Sequence, residues 1–289
     1  MAPPAVSIII STQFENPDQL LAIAEDFCFR QTQGNWELVF VVQVATQEQE
    51  VEAQIFFDKF VSSDRVRFFC FKEKGLARSR NRGIQRAQGD VILLGDTDCR
   101  YPPDAIRKIQ ETYRKYPELG LITFQALDWE SGFPVKRYWG GARGHNSFSV
   151  MRVGSWEITF RREEVLKRGV LFDERFGLGS HWPSGEENIF MCDFLKNGGH
   201  GGFAPEVVVY TVPSNDQKMD CTVNSSKGAL LRRVWGVGGA VFGIPYLVRR
   251  YRGGLLQDSL LKSISCLYRG WWRFPKTPSP EALENPGEG

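Results

Sequence analysis

The chain runs to 289 residues, 42% of them hydrophobic and 24% charged, enough apolar material for a sizeable core and too much for wholesale disorder. Its six cysteines (Cys28, Cys70, Cys99, Cys192, Cys221, Cys266) include no Cys-X-X-Cys pair and its histidines number three, which argues against a zinc site or disulfide framework and for a reducing, cytoplasmic setting. The formal net charge of +2 conceals a basic end: residues 227–274 hold nine Lys or Arg against Asp258 alone.

The first four residues lead, with no secretory leader expected, into residues 6–11 (VSIIIS), a continuous apolar run that predicts a buried strand. Asn16 and Pro17 supply an N-cap and a first-turn proline for a helix carrying Leu20, Leu21, Ala24, Phe27 and Cys28 on one face. Residues 37–42 (ELVFVV) predict a second strand, 51–60 an amphipathic helix and 65–71 a third strand. This strand–helix alternation predicts a parallel sheet with a nucleotide-binding half.

Gly75 then opens a helix over 76–87 bearing Arg78, Arg80, Asn81, Arg82 and Arg86, and a Gly89-Asp90 turn leads into the apolar strand 91–94. Asp96, Thr97 and Asp98 follow directly, and Pro102-Pro103-Asp104 starts the next helix, 105–116, with Ile106, Ile109 and Tyr113 at helical spacing. A lone Asp-X-Asp is usually a solvated turn. At the carboxyl end of a parallel strand, however, ligands bind in open α/β sheets, and two adjacent carboxylates there demand a cation. Hard oxygen ligands suit Mg²⁺ or Mn²⁺ carrying a diphosphate.

Residues 119–124 predict another strand. The stretch 126–154 shows no period; its aromatic and basic residues suit a ligand-contacting loop or a plain surface loop equally. Strand 155–160 (SWEITF), helix 161–168 and helix 186–195 follow, the last opening on Glu186 and Glu187, acids that a helix dipole alone would favour. Residues 203–212 predict a closing strand and 213–224 a polar linker. The apolar segments 234–248 and 255–272 are each short of the ~20 residues a bilayer crossing needs. With flanking arginines and Trp271-Trp272, they suit either lying on an anionic membrane surface or packing on the catalytic domain. No nucleic-acid module accompanies the charge, so no such partner is expected.

Gly75, Arg80-Asn81-Arg82-Gly83, the strand 91–94, Asp96-Thr97-Asp98 and Pro103-Asp104 together resemble the donor-binding core of family 2 glycosyltransferases, inverting enzymes of the GT-A fold. The resemblance spans about residues 4–213. It implies an α/β, Rossmann-like, mostly parallel sheet flanked by helices over 1–215, followed by a helical, basic and apolar extension at 216–274 and a disordered tail at 275–289. It also implies a nucleotide-sugar donor, with UDP expected, held by Ser11, Thr12, Gln13, Gln43, Gly75, Arg80, Asn81, Asp96 and Thr97. Mg²⁺ or Mn²⁺ would bind Asp98, with Asp96 on the metal, ribose or sugar. Glu187 would be the catalytic base, Glu186 the alternative, and His181 and Trp182 would meet the acceptor, a glycan or lipid-linked saccharide.

The chain departs from the family pattern in several places. Ser11-Thr12-Gln13-Phe14 stands where members have Pro-Thr-Tyr-Asn, Gln43-Val44 where they have Asp-Asp, Glu187 where they have Asp, and Thr211 where many have a metal-binding histidine. Two rivals share the pattern: nucleotidyl transfer, and a catalytically idle subunit that binds sugar nucleotide or glycan.

Overall fold

A computed structural model describes residues 5–31, 33–60, 63–211 and 219–275. By internal contact the chain separates into two units, Met1–His181 with Glu186–Asn215, and Trp182–Gly185 with Asp216–Gly289. The expected disordered tail beyond residue 275 and the linker residues 213–218 lie outside the described residues.

The first unit is built on one mixed sheet. Its strands are β1 (Val6–Gln13), β2 (Trp36–Gln43), β3 (Val66–Phe71), β4 (Val91–Gly95), β5 (Leu121–Asp128), β6 (Arg143–Gly144), β7 (Ile158–Arg161) and β8 (Gly201–Thr211), in spatial order β3-β2-β1-β4-β7-β5-β8-β6. The first four are mutually parallel; β7 runs antiparallel between β4 and β5, and β6 antiparallel to β8. Helices α1 (Pro17–Arg30), α2 (Gln47–Phe60), α3 (Leu76–Arg86) and α4 (Ala105–Lys115) join the parallel strands and lead into β5. Two further helices, α5 (Arg162–Lys167) and α6 (Glu186–Lys196), complete the unit.

Local chemistry explains the element ends. Asn16 caps α1, its Oδ1 accepting the Gln19 N–H at 3.2 Å, with Pro17 as first helical residue. β1, β2 and β4 are apolar on both faces because both faces are covered. Register puts Gln13 beside Gln43 and Ile10 beside Gly95, so β1, β2 and β4 present their carboxyl ends along one edge. One expectation fails here: residues 155–157 form a 3₁₀ turn, and only 158–161 are strand. Glu157 causes this by reaching back to accept the Gly154 N–H at 3.0 Å, which curls the chain before it can pair.

The second unit holds α7 (Cys221–Trp235), a 3₁₀ turn (Gly236–Gly239), α8 (Ala240–Arg252) and α9 (Leu260–Arg273) around a small core of Leu231, Leu247 and Leu267. Helix α7 begins inside the expected linker because Asp220 caps it, accepting the Val223 N–H at 2.8 Å. α7 and α9 approach backbone to backbone: a Cβ at Gly228 would stand 1.8 Å from the Leu267 carbonyl oxygen. This proximity overturns the expectation of no disulfide. Cys221 and Cys266, their Cα atoms 5.3 Å apart, are bonded across the two helices. Sequence spacing could not reveal the pair because helix packing creates it. Among the described residues no helix is long and apolar enough to cross a membrane.

Candidate active site

The two aspartates stand where β4 ends, as its burial and direction require. Asp96 is already anchored: the Ser155 hydroxyl donates to its Oδ2 at 2.7 Å, and Arg80 approaches its Oδ1 at 3.5 Å. Asp98 lies further out and is exposed, with the Cys99 thiol at 3.8 Å from its Oδ1. Even so, partial desolvation of the Asp98 carboxyl, then the neighbouring charge of Asp96, push its pKa upward. One ligand atom from each of Asp96, Asp98 and Cys99 falls within a 4.8 Å span. The Cys99 thiol is buried and held well above its usual pKa, first by desolvation and then by the two aspartates, and a soft sulfur is a poor match for a hard cation. What remains is a pair of hard carboxylates, a donor set that fits Mg²⁺ or Mn²⁺. Asp98 has the open oxygens for such an ion, because both oxygens of Asp96 face protein partners.

The loop that carries these acids is pinned at both ends. Gln19 Nε2 donates to the Thr97 carbonyl at 3.2 Å. Arg100 and Tyr210 exchange backbone hydrogen bonds of 2.8 and 2.7 Å, which ties the loop to the end of β8. Thr211, at the position of the family histidine, places its hydroxyl on Cys99.

Helix α3 supplies the positive charge. Its entry is the turn at Gly75, whose φ of +126° few residues other than glycine adopt. The Gly75 N–H donates to Gln43 Oε1 at 2.9 Å, and the Leu76 N–H to the Leu178 carbonyl at 2.9 Å. The Gln43 carbonyl thus anchors the loop that opens α3. Asn81, expected at the donor, is buried and used up internally: it donates to the Phe172 carbonyl and Glu174 Oε1, and accepts the Phe172 N–H. Arg80 is 2% exposed and lies between Glu186, at 3.0 Å, and Asp96. It bridges two acids inside the protein and does not face solvent as a phosphate ligand would.

Among the other expected donor residues, Ser11 and Thr12 sit half-buried at the end of β1 and Gln13 is exposed. Ser11 Oγ is buried with no hydrogen-bond partner among the described residues. Thr12 turns its hydroxyl to the Gln13 carbonyl.

The acids of α6 divide in character. Glu186 is buried, and desolvation, then the charge of Glu187, hold its carboxyl well above the usual range, with Arg80 opposing them. Burial wins, so Glu186 keeps a proton more readily than a free glutamate. Glu187 is half-buried, and its Oε2 has no hydrogen-bond partner among the described residues. His181 is exposed. Trp182 is 6% exposed and packs within the second unit, 6.5 Å from the Phe274 ring, so its face is covered by protein.

Sequence reasoning passed over Ser155 and its support. Glu157, 1% exposed, fixes the turn by accepting from Gly154 N–H, from Lys136 Nζ at 2.5 Å and from the Tyr138 hydroxyl. The signal available was a Gly-X-X-Glu spacing ahead of an apolar strand, a capping pattern. Its link to Asp96 depends on β7 entering the sheet beside β4, which no local pattern announces.

A model described as glycosyl transferase family 2 matches residues 7–168. An N-acetylglucosaminyltransferase of Azorhizobium caulinodans is 25% identical over 222 residues, 72% of this chain and 55% of that protein. A glucosyl-dolichyl phosphate glucuronosyltransferase of Haloferax volcanii is 26% identical over 175 residues, 57% and 55% of the two chains. The chain thus spans about half the length of these curated relatives. Among solved structures, S. aureus TarS 1-349 in complex with UDP-GlcNAc superposes with a TM-score of 0.65 at 13% identity, over 93% of this chain and 81% of that one. The likeness is one of fold, GT-A.

Proposed function

The chain belongs to glycosyl transferase family 2, and on that premise we propose that it is a metal-dependent inverting glycosyltransferase moving a hexose or N-acetylhexosamine from a UDP-sugar to a glycan or lipid-linked saccharide. One observation carries the reading: a single buried guanidinium, Arg80, spans from the Asp96 of the strand-end pair to Glu186, next to an acid with an unpartnered oxygen, Glu187. Arg80 thereby links the strand-end acids, where the donor would bind, to the start of α6, where Glu187 would accept the proton. The UDP-GlcNAc complex of TarS and the N-acetylglucosaminyltransferase relative support the donor class.

In this reading Glu187 accepts the proton of the acceptor hydroxyl as its oxygen attacks the anomeric carbon. The bond from that carbon to the diphosphate breaks on the opposite face, so configuration inverts. Asp98 would hold the divalent cation, with Asp96 on the ribose or sugar. When bound, the cation neutralises charge on the departing diphosphate. Glu186, kept apart by Arg80 and burial, positions its neighbour. The basic excess of residues 227–274 supports peripheral attachment at the cytoplasmic membrane face, with the acceptor made for a surface polysaccharide.

Incubating the purified chain with nucleotide sugars in Mn²⁺, Mg²⁺ or chelator separates the readings. Release of UDP is expected, and Asp98→Asn should abolish its metal dependence and cut turnover about 100-fold or more. Pyrophosphate release when the chain is given a nucleoside triphosphate and a sugar 1-phosphate instead would favour nucleotidyl transfer; binding of a nucleotide sugar without turnover would favour an idle subunit. Asp98→Asn with full, metal-dependent turnover would overturn the site.

A further inference from the structure

We propose that α8 is the element by which the second unit lies on an anionic lipid bilayer, with its Val241/Ile244 side in the acyl boundary and its terminal arginines among the headgroups. The proposal rests on the membrane half of the reading above and narrows it to one helix face.

The helix is apolar on two sides. One side is used within the unit: Leu247 is fully buried, and Gly243 lies against Leu267 of α9. The other is open. Val241 is 73% exposed and Ile244 46%, and Val237, one turn ahead, is 70% exposed. Val241 and Ile244, three positions apart, align along one side of α8 as a stripe, and Val237, in the 3₁₀ turn before it, adds to the exposed apolar surface. A helix apolar all round needs cover on both sides. On α9, Leu261 and Trp272 are also exposed, at 80% and 78%; eleven residues apart, they return to the same side after three turns.

Charge selects the occupant. Arg249, Arg250 and Arg252 follow the stripe directly and are exposed. Residues 219–275 as a whole carry nine Lys or Arg against Asp220 and Asp258, and Asp258 is already paired with Lys262 at 2.6 Å. A second copy docked on this face would bring arginine clusters together with almost no acid to interleave. An anionic bilayer satisfies both features at once: headgroups take the arginines and the acyl boundary takes Val241 and Ile244. No described helix is long enough to cross, so α8, about 20 Å long, lies in the surface plane.

The test is density-gradient flotation of the full chain with phosphatidylcholine vesicles, with and without phosphatidylglycerol. The chain should float only with the anionic vesicles, and less in high salt. Val241→Glu with Ile244→Glu should cut the floated fraction about ten-fold, and Arg249→Ser with Arg250→Ser and Arg252→Ser should do the same. In all of these, melting temperature and UDP release in free solution should stay unchanged, because none of the residues is in the site. A wild-type chain that never floats overturns the membrane reading and this inference together, leaving the transferase reading untouched. A glutamate variant that floats like wild type overturns the assignment to α8 alone. A wild-type dimer in free solution that the glutamates dissociate gives the face to a second copy and also overturns it.

Discussion

At the scale of single residues, the site is governed by what Arg80 and Ser155 do to carboxylates. A buried guanidinium between Glu186 and Asp96 is tolerable because Asp96 offers it an opposite charge and the Glu186 carboxyl, protonated or not, accepts its hydrogen bond. Ser155 completes the set by fixing the second oxygen of Asp96. A hydrogen bond to a charged group contributes about 1.5–3 kcal/mol, so Ser155→Ala should lower kcat/KM for the donor by about ten-fold or more. Ser155→Thr, which keeps the hydroxyl, should restore most of it in the UDP-release assay. Unchanged kinetics in the alanine variant would mean that Asp96 is held from elsewhere.

A second residue-scale expectation concerns pH. His145 hydrogen-bonds Thr123 Oγ1 at 2.8 Å and Ser149 Oγ at 3.0 Å, and burial, with the charge of Lys136, pushes its pKa down to about 4. An unfolded histidine titrates near about 6.5. Between those values the unfolded chain binds more protons. The stabilisation is therefore complete above about 6.5 and is lost as pH falls toward about 4. Thermal melts across this window should show the decline, and His145→Gln should flatten it.

Among elements, the close approach of α7 to α9 sets competing effects against each other. Alanine in place of an exposed helical glycine stabilises by about 1 kcal/mol. At Gly228 the new methyl would overlap the Leu267 carbonyl, and overpacking of this kind costs about 1–3 kcal/mol. The second effect wins, so Gly228→Ala should lower the melting temperature, and a neutral or stabilised variant would show that the helices stand further apart. The sequence misplaced two elements, for separate reasons. The start of α7 read as linker because its capping signal, Asp220, precedes a run of small and polar residues whose partner is another helix. The turn at 155–157 read as strand because Trp156, Ile158 and Phe160 alternate, while the backbone there is claimed by the Glu157 carboxylate.

For the whole molecule, the bridge between Cys221 and Cys266 closes a loop with a sequence separation of 45. By the chain-entropy relation that restriction of the unfolded state contributes about 4 kcal/mol. Reductant should therefore lower the melting temperature of the second unit, and Cys221→Ser should do the same while removing the response to reductant. If reductant has no effect on the wild type, the bridge is not formed in solution. The sheet works at this scale as well. Because β1 lies between β2 and β4 and all three run parallel, Ser11, Gln43 and Asp96, distant in sequence, share one edge.

The sequence alone determined what local physics can encode. Apolar runs marked the buried strands β1, β2 and β4, Asn16-Pro17 marked a helix start, and two carboxylates behind a buried strand marked a candidate cation site. Each is legible because its cause lies within a few residues. Tertiary structure alone decided which polar groups are consumed and which stay open. Arg80 and Asn81 turn inward, Ser155 arrives at Asp96, Glu187 keeps an oxygen unpartnered, and two scattered cysteines meet. Those outcomes depend on strand order and helix approach between segments as many as 106 residues apart, as between Arg80 and Glu186, and no short-range pattern carries that information.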